Sequence, residues 1–258
     1  MKYTKRMKYL KMETWSSPEA SNFVQRGNRP VIIPVGSFEQ HGPHAPLGTD
    51  TFICLEVCHR IAMRIGAVLL PPVWFGVSDE HMDYTGTITL SPNTLCNLLV
   101  EIVLSLNTGG FKDIVILNGH SGNLGALKMF KEQVNDKVRK ETNLLVLSYW
   151  DKLPDKESKQ LSSLEWGLHA NEFETSIISS IYPYMVKKMK GISHFPELSP
   201  TQKSGFNNTS FKDLMKGSNG VWGDPTQASI KKGKSLMSLI ELTLTNYLLE
   251  YFSPMDNY

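Results

Sequence analysis

The segment PVGSFEQHGPHAPLGTD, residues 34–50, places Glu39, His41, His44 and Asp50 among glycines and prolines directly after the apolar run 31–35. Carboxylates and imidazoles set this close can offer oxygen and nitrogen donors to a metal ion or exchange protons with a substrate. A second run, ILNGHSGNLGALKMF, carries His120 two residues after Asn118. Gly119 and Gly122 let the backbone turn sharply there, and a helix starting near Asn123 would aim its N-terminal amides into the same space. A third run, HANEFETS, holds His169, Glu172 and Glu174. Hard divalent cations prefer oxygen and zinc accepts imidazole as readily, so a mixed Glu, His, Asp, His, Glu set suits two adjacent ions sharing one carboxylate. Asp50 is the candidate bridge. Two such ions would activate a water as hydroxide and polarise the carbonyl it attacks, as hydrolysis of an unreactive amide near neutral pH requires.

Each residue also has an ordinary structural reading. A lone histidine at a strand end commonly caps or hydrogen-bonds, and Asp50, immediately before a helix, is an N-cap candidate. Glu172 and Glu174 could be a solvated helix start favoured by the dipole. What favours chemistry is that three clusters, distant in the chain, all fall near strand exits. His59 and His194 lack such company and are expected on the surface.

The elements that must position these residues follow from the hydrophobic pattern. Short β-branched runs at 31–35, 67–70, 113–117 and 144–148 alternate with longer stretches of helical period, the pattern of a mainly parallel sheet covered on both faces by helices. TFICLEVCHRIAMRI puts Phe52, Leu55, Val57 or Cys58, Ile61 and Ile65 on one stripe, with Gly66 placed to end the helix. Ser91 can cap a second helix with Pro92 at its first position, ending at Gly109 and Gly110, and a third follows Asn123. Asp224 and Pro225 are the expected start of a long C-terminal amphipathic helix, and 192–221 reads as loop-rich. In an open parallel sheet ligands collect beyond the carboxyl ends of the strands, where Glu39, His41 and His120 are expected.

Composition limits the alternatives. With 27 Lys and Arg against 25 Asp and Glu, a formal charge of +2 implies no nucleic-acid partner, and 41% hydrophobic with 20% charged residues is ordinary for a folded soluble chain. The basic opening MKYTKRMKYLKMETW lacks the apolar stretch of a secretory signal, and no run reaches the roughly 18 apolar residues of a membrane span. Cys54, Cys58 and Cys96 are expected as buried reduced thiols, which points to the cytoplasm.

Read in order, VIIPVGSFEQHGPHAPLGTD, YTGTITLSPNTL, GGFKDIVILNGHSGN, HANEFETS and GDPTQASIKKG resemble the creatininase family over most of the chain. The resemblance implies one three-layer α/β/α domain spanning 1–258, with a mainly parallel sheet and two divalent ions, zinc or manganese with iron also admitted. It further implies hydrolysis of a cyclic or linear small-molecule amide by homo-oligomers of up to six chains. Glu39 and His120 match ligands of one ion, His41 a ligand of the other, and Asp50 the bridge; His169 resembles the histidine that moves a proton to the leaving nitrogen. Creatininase itself has a glutamate ligand and a neighbouring substrate-contacting tyrosine where this chain has Gly122 and Ser121. Other members replace that ligand with a glutamate corresponding to Glu172, which becomes the fifth ligand and part of the catalytic set, and Glu174 matches a supporting glutamate. His81, Ser121, Trp150 and Trp166 are the substrate-contact candidates. Within the family, deformylation of a pyrimidine intermediate and trimming of a modified peptide are alternatives to a cyclic amide. A binding protein that has lost turnover is the alternative from outside catalysis, motivated by Gly122.

Overall fold

Four runs of aliphatic residues pair side by side in the order β2-β1-β3-β4, all parallel: β1 Val31–Val35, β2 Val68–Leu69, β3 Asp113–Asn118 and β4 Asn143–Ser148. The computed structural model describes residues 11–27, 29–154, 169–187, 192–196, 213, 215 and 217–252. β1 is as expected, β3 and β4 are each one residue longer, and β2 is shorter than 67–70 because Pro71 and Pro72 follow it closely. That early end also tolerates Pro34 in the middle of the sheet, since β2 pairs only with Val31 and Ile32.

Side chains alternate across the sheet. Ile32, Leu69, Val115, Leu117 and Leu147 face helices α2 (Thr49–Ile65), α5 (Glu172–Ile181) and α6 (Ile230–Tyr251). Val31, Ile33, Val35, Ile114 and Ile116 face α3 (Pro92–Thr108) and α4 (Leu124–Val134), where Phe23 of α1 (Ser17–Gln25) also packs. The result is the three-layer α/β/α arrangement. Among the described residues no helix is long and apolar enough to cross a membrane, and all three cysteines are free and buried.

Three local expectations need correction. The fully buried stripe of α2 runs through Ile53, Cys54, Val57, Cys58, Ile61 and Ala62, while Phe52, Leu55 and Ile65 are half-buried. The helix is rotated because Asp50, one turn before Ile53 and Cys54, must lie on the inward face. Asp224 caps only a short turn, Pro225–Gln227, accepting from the Thr226 N–H at 3.0 Å; Ser229 caps the long helix, accepting from Lys232. His59 is half-buried, with Nε2 enclosed and lacking a hydrogen-bond partner among the described residues, and His194 is likewise half-buried. The expectations that Ser91 caps α3, that Pro92 opens it and that Gly109 follows it agree with the structure.

The carboxyl edge of the sheet is fastened by two buried asparagines. Asn123 accepts from the Val77 N–H at 2.9 Å and donates to the Gly36 carbonyl at 3.0 Å and to Oδ1 of Asn118 at 3.1 Å. Asn118 in turn donates to the His120 carbonyl at 2.8 Å and to Ser148 Oγ at 3.1 Å, so the exits of β1, β3 and β4 share one network. Asn123→Ala leaves the Val77 N–H and the Gly36 carbonyl buried without this partner and is expected to cost about 2–4 kcal/mol, read as a lower urea midpoint at unchanged slope. Burial, reinforced by the positive charge of Lys11, lowers the His59 pKa to about 4. The folded chain then binds fewer protons than the unfolded one between about pH 6.5 and 4, so stability is lost as pH falls through that window. His59→Gln is expected to flatten this acid limb in urea midpoints measured from pH 7 to 4, and an unchanged limb would contradict the assignment.

Candidate metal centre

The carboxyl edge delivers its donors from four places. Glu39 and His41 lie on the loop leaving β1, His120 follows β3, Asp50 lies in the first turn of α2, and His169 and Glu174 flank the start of α5. Asp50 is not the cap of its helix: the N-cap position is Gly48, and no side chain caps it. Its carboxylate turns inward instead, with Oδ1 3.2 Å from His41 Nε2 and Oδ2 3.1 Å from His120 Nδ1. Ser37 Oγ donates to Oδ2 at 2.5 Å. One carboxylate therefore faces two imidazoles through different oxygens, which is what a bridging ligand must do.

One nitrogen of each ring meets a main-chain carbonyl, and that of His120 also lies 3.1 Å from Glu39 Oε2. His41 Nδ1 is 3.2 Å from the Glu39 carbonyl, His120 Nε2 is 2.8 Å from the Val77 carbonyl, and His169 Nε2 is 2.7 Å from the Gln40 carbonyl. A carbonyl only accepts, so each of these nitrogens carries a proton, while the second nitrogen of His41 and of His120 faces Asp50 and that of His169 faces Glu39. This is the arrangement by which backbone carbonyls orient metal-ligating histidines. Donor atoms of Glu39, Asp50 and His120 lie within 4.8 Å of one another, as do those of His41, His169 and Glu174. Bonds of about 2.0–2.2 Å from zinc to oxygen and nitrogen span such separations.

Charge is concentrated where water is excluded. Glu39 is 0% exposed, and among the described residues neither carboxylate oxygen has a hydrogen-bond partner, although His120 Nε2 lies 3.1 Å from Oε2; Oε2 of Glu174 also lacks a partner among the described residues. Burial raises both carboxyl groups to about 7, against the opposing pull of His120 on Glu39 and of His41 on Glu174. Burial also pushes the Asp50 carboxyl up, but attraction to His41 and hydrogen bonding to His120 overcome it and hold the group well below its usual value. For His41 and His120 burial acts downwards, yet Asp50 and Glu39 lift them to about 10 and 9. His169 is held well below the usual imidazole value by burial and by repulsion from His41 and His81, so it is neutral. Buried acceptor oxygens, imidazoles oriented by main-chain carbonyls and a mixed oxygen–nitrogen donor set fit divalent cations.

The structure brings Glu39, His41, Asp50, His120 and His169 together, and it does not bring Glu172 with them. The Glu172 carboxylate is taken by Lys232 Nζ, which also donates to the Gln227 carbonyl at 3.0 Å. Glu174 faces the centre in its place, because residues two apart on a helix point to different sides. His81 ends a short turn, Asp79–His81, and packs on His169 with ring centroids 4.3 Å apart. Ser121 is exposed at the helix entry after His120, Trp150 packs at 4.8 Å against Tyr149 beside the core, and Trp166 lies outside the described residues. His44 is buried with Nε2 2.9 Å from Thr175 Oγ1, supporting α5 rather than entering the centre. Gln40, not anticipated from the sequence, touches both His81 and His169. At Gly122 an added Cβ would lie 2.2 Å from the Val77 carbonyl oxygen and 2.4 Å from His120 Nε2. No side chain can project a ligand from this position without displacing its neighbours.

Residues 13–248 match the creatininase (creatinine amidohydrolase) family model. The creatinine amidohydrolase of Pseudomonas putida is 26% identical, covering 93% of this chain and 96% of its own. The mycofactocin precursor peptide peptidase of Mycolicibacterium smegmatis is 32% identical over 81% of this chain and 79% of its own. A solved manganese form of creatininase matches with a TM-score of 0.79 at 25% identity, covering 95% of this chain and 99% of that one.

Exchange of the two glutamates separates their roles. Glu174→Gln is expected to weaken zinc binding at one position by about 10–100-fold, whereas Glu172→Gln leaves metal content unchanged. Metal analysis after equilibrium dialysis checks this, and loss of metal in Glu172→Gln alone would restore that residue as the ligand.

Proposed function

The chain belongs to the creatininase family, and from that membership and the geometry of the site we propose that it is a metal-dependent amidohydrolase acting through two divalent ions, zinc or manganese. The observation that carries the reading is Asp50, whose two oxygens face His41 Nε2 at 3.2 Å and His120 Nδ1 at 3.1 Å. Glu39, Asp50 and His120 would hold one ion, and His41, Asp50 and Glu174 the other. When bound, such a pair supplies Lewis acidity towards a carbonyl oxygen and lowers the pKa of a water between the ions.

The remaining chemistry belongs to the chain. His169 is neutral and holds its Nε2 proton against the Gln40 carbonyl, so Nδ1, 3.6 Å from Glu39 Oε1, is the atom that can take a proton. It accepts the proton released as water adds to the carbonyl carbon and returns it to the nitrogen as the C–N bond breaks. Glu39 and Asp50 are buried, so bulk water does not compete for the donors.

For the substrate we infer an amide other than creatinine. Identity does not single out creatinine, since the creatinine amidohydrolase matches at 26% over 93% of this chain and the mycofactocin precursor peptidase at 32% over 81%. The backbone packed against Gly122 also leaves no room for the glutamate that creatininase carries there. A small amide or formamide is one class to test, and a bond of a modified precursor peptide is the second. Assembly into a homo-oligomer accompanies the family reading.

Stripping the metal with a chelator is expected to abolish hydrolysis across a panel of cyclic amides, formamides and short peptides, and zinc or manganese to restore it. His41→Ala is expected to bind one ion fewer and to lose about a thousandfold in rate, the equivalent of several kcal/mol of charge stabilisation. Full turnover by rigorously metal-free protein would overturn the reading. Two ions bound with no turnover on any class of substrate would favour a binding protein.

A further inference from the structure

Gln40 lies between the ligand cluster and the turn at 217–221, and holding metal leaves its side chain unused. Its Oε1 accepts from the Gly42 N–H at 2.9 Å, which settles which end of the amide is which. The NH2 end then lies 2.8 Å from His81 Nδ1 and 3.0 Å from His169 Nε2. These contacts are not equivalent. His169 Nε2 is nearer to the Gln40 main-chain carbonyl, at 2.7 Å, and that shorter contact requires the nitrogen to carry a proton. His81 Nδ1 instead meets an N–H donor and must accept. An imidazole that accepts at Nδ1 carries its proton at Nε2, and His81 Nε2 lies 3.6 Å from Glu39 Oε1. Room for the amide comes from Gly220, where a Cβ would fall 1.9 Å from Gln40 Oε1.

The geometry points to Gln40 as a positioning residue that holds His81 in its Nε2–H form, so that His81 offers a bound amide a hydrogen-bond donor and does not serve as a metal ligand. Its catalytic use rests on the hydrolase reading; its geometry does not. On distance alone, Glu39, His81 and His169 lie within 4.8 Å of one another and could be taken as a third ligand set. A ligating imidazole donates from its other nitrogen. At His81 that would oppose two N–H groups at 2.8 Å, so Gln40 disfavours metal binding there. The N–H so fixed suits the oxygen or nitrogen of an amide, where charge or a lone pair develops as the bond breaks.

Nitrogen-15 NMR of histidine-labelled, zinc-loaded protein at neutral pH reads the tautomer directly, with His81→Asn identifying the resonances. The native protein is expected to show His81 protonated at Nε2 and accepting at Nδ1. Gln40→Glu places an acceptor against Nδ1 and is expected to move the proton to that nitrogen, with unchanged zinc content and a kcat lower by about 10–100-fold. A native His81 protonated at Nδ1, a zinc-bound Nε2, or a tautomer unaltered by Gln40→Glu would overturn the proposal. If Gln40→Glu fails to fold, the native spectrum still decides. The same measurement on metal-free protein separates failure of this inference from failure of the hydrolase reading.

Discussion

A carboxylate can be shared between two cations only if each of its oxygens is directed to a different partner. Asp50 meets this condition because Oδ1 faces His41 and Oδ2 faces His120, two rings whose other nitrogens are held by the Glu39 and Val77 carbonyls. The rest of the structure can be understood as what keeps that geometry. The Gly- and Pro-rich exit of β1 folds back so that its main chain supplies acceptors to the rings. The Asn118–Asn123 network fixes the strand ends from which these donors come. α2 presents Asp50 inward at the cost of rotating its apolar stripe.

Electrostatics gives the same account from another side. Bringing buried carboxylates together raises the energy of the charged state, and the chain relieves this only in part, through imidazoles lifted to about 10 and 9 and carboxyl groups lifted to about 7. A protein without cations must hold protons here that cations would displace. Such an enclosure is costly as a structural core and useful as a ligand set. The Glu172–Lys232 pair, by contrast, neutralises itself and joins the starts of α5 and α6.

Much of this was legible in the residues. Four parallel strands and their helices follow from runs of β-branched residues and capping signals, and Glu39, His41 and His120 are recognisable because they stand just beyond strand ends. The different surroundings of Glu172 and Glu174 are not legible: both sit near one helix start, and the Glu172 carboxylate is engaged by Lys232, 60 residues further along. Gln40 carries no signal in the sequence because an amide has no charge, and its contacts come from two rings supplied by distant loops. The start of α6 after Ser229 is masked in the sequence because Asp224-Pro225 carries the same start signal about one turn earlier.

The central claim is tested most directly by anomalous X-ray scattering from crystals grown with zinc. The account predicts two peaks, one on either side of the Asp50 carboxylate and each about 2 Å from one of its oxygens, with Glu174 rather than Glu172 at the peak nearer His41. A single peak remote from Asp50, or zinc bound only at surface residues, would contradict it.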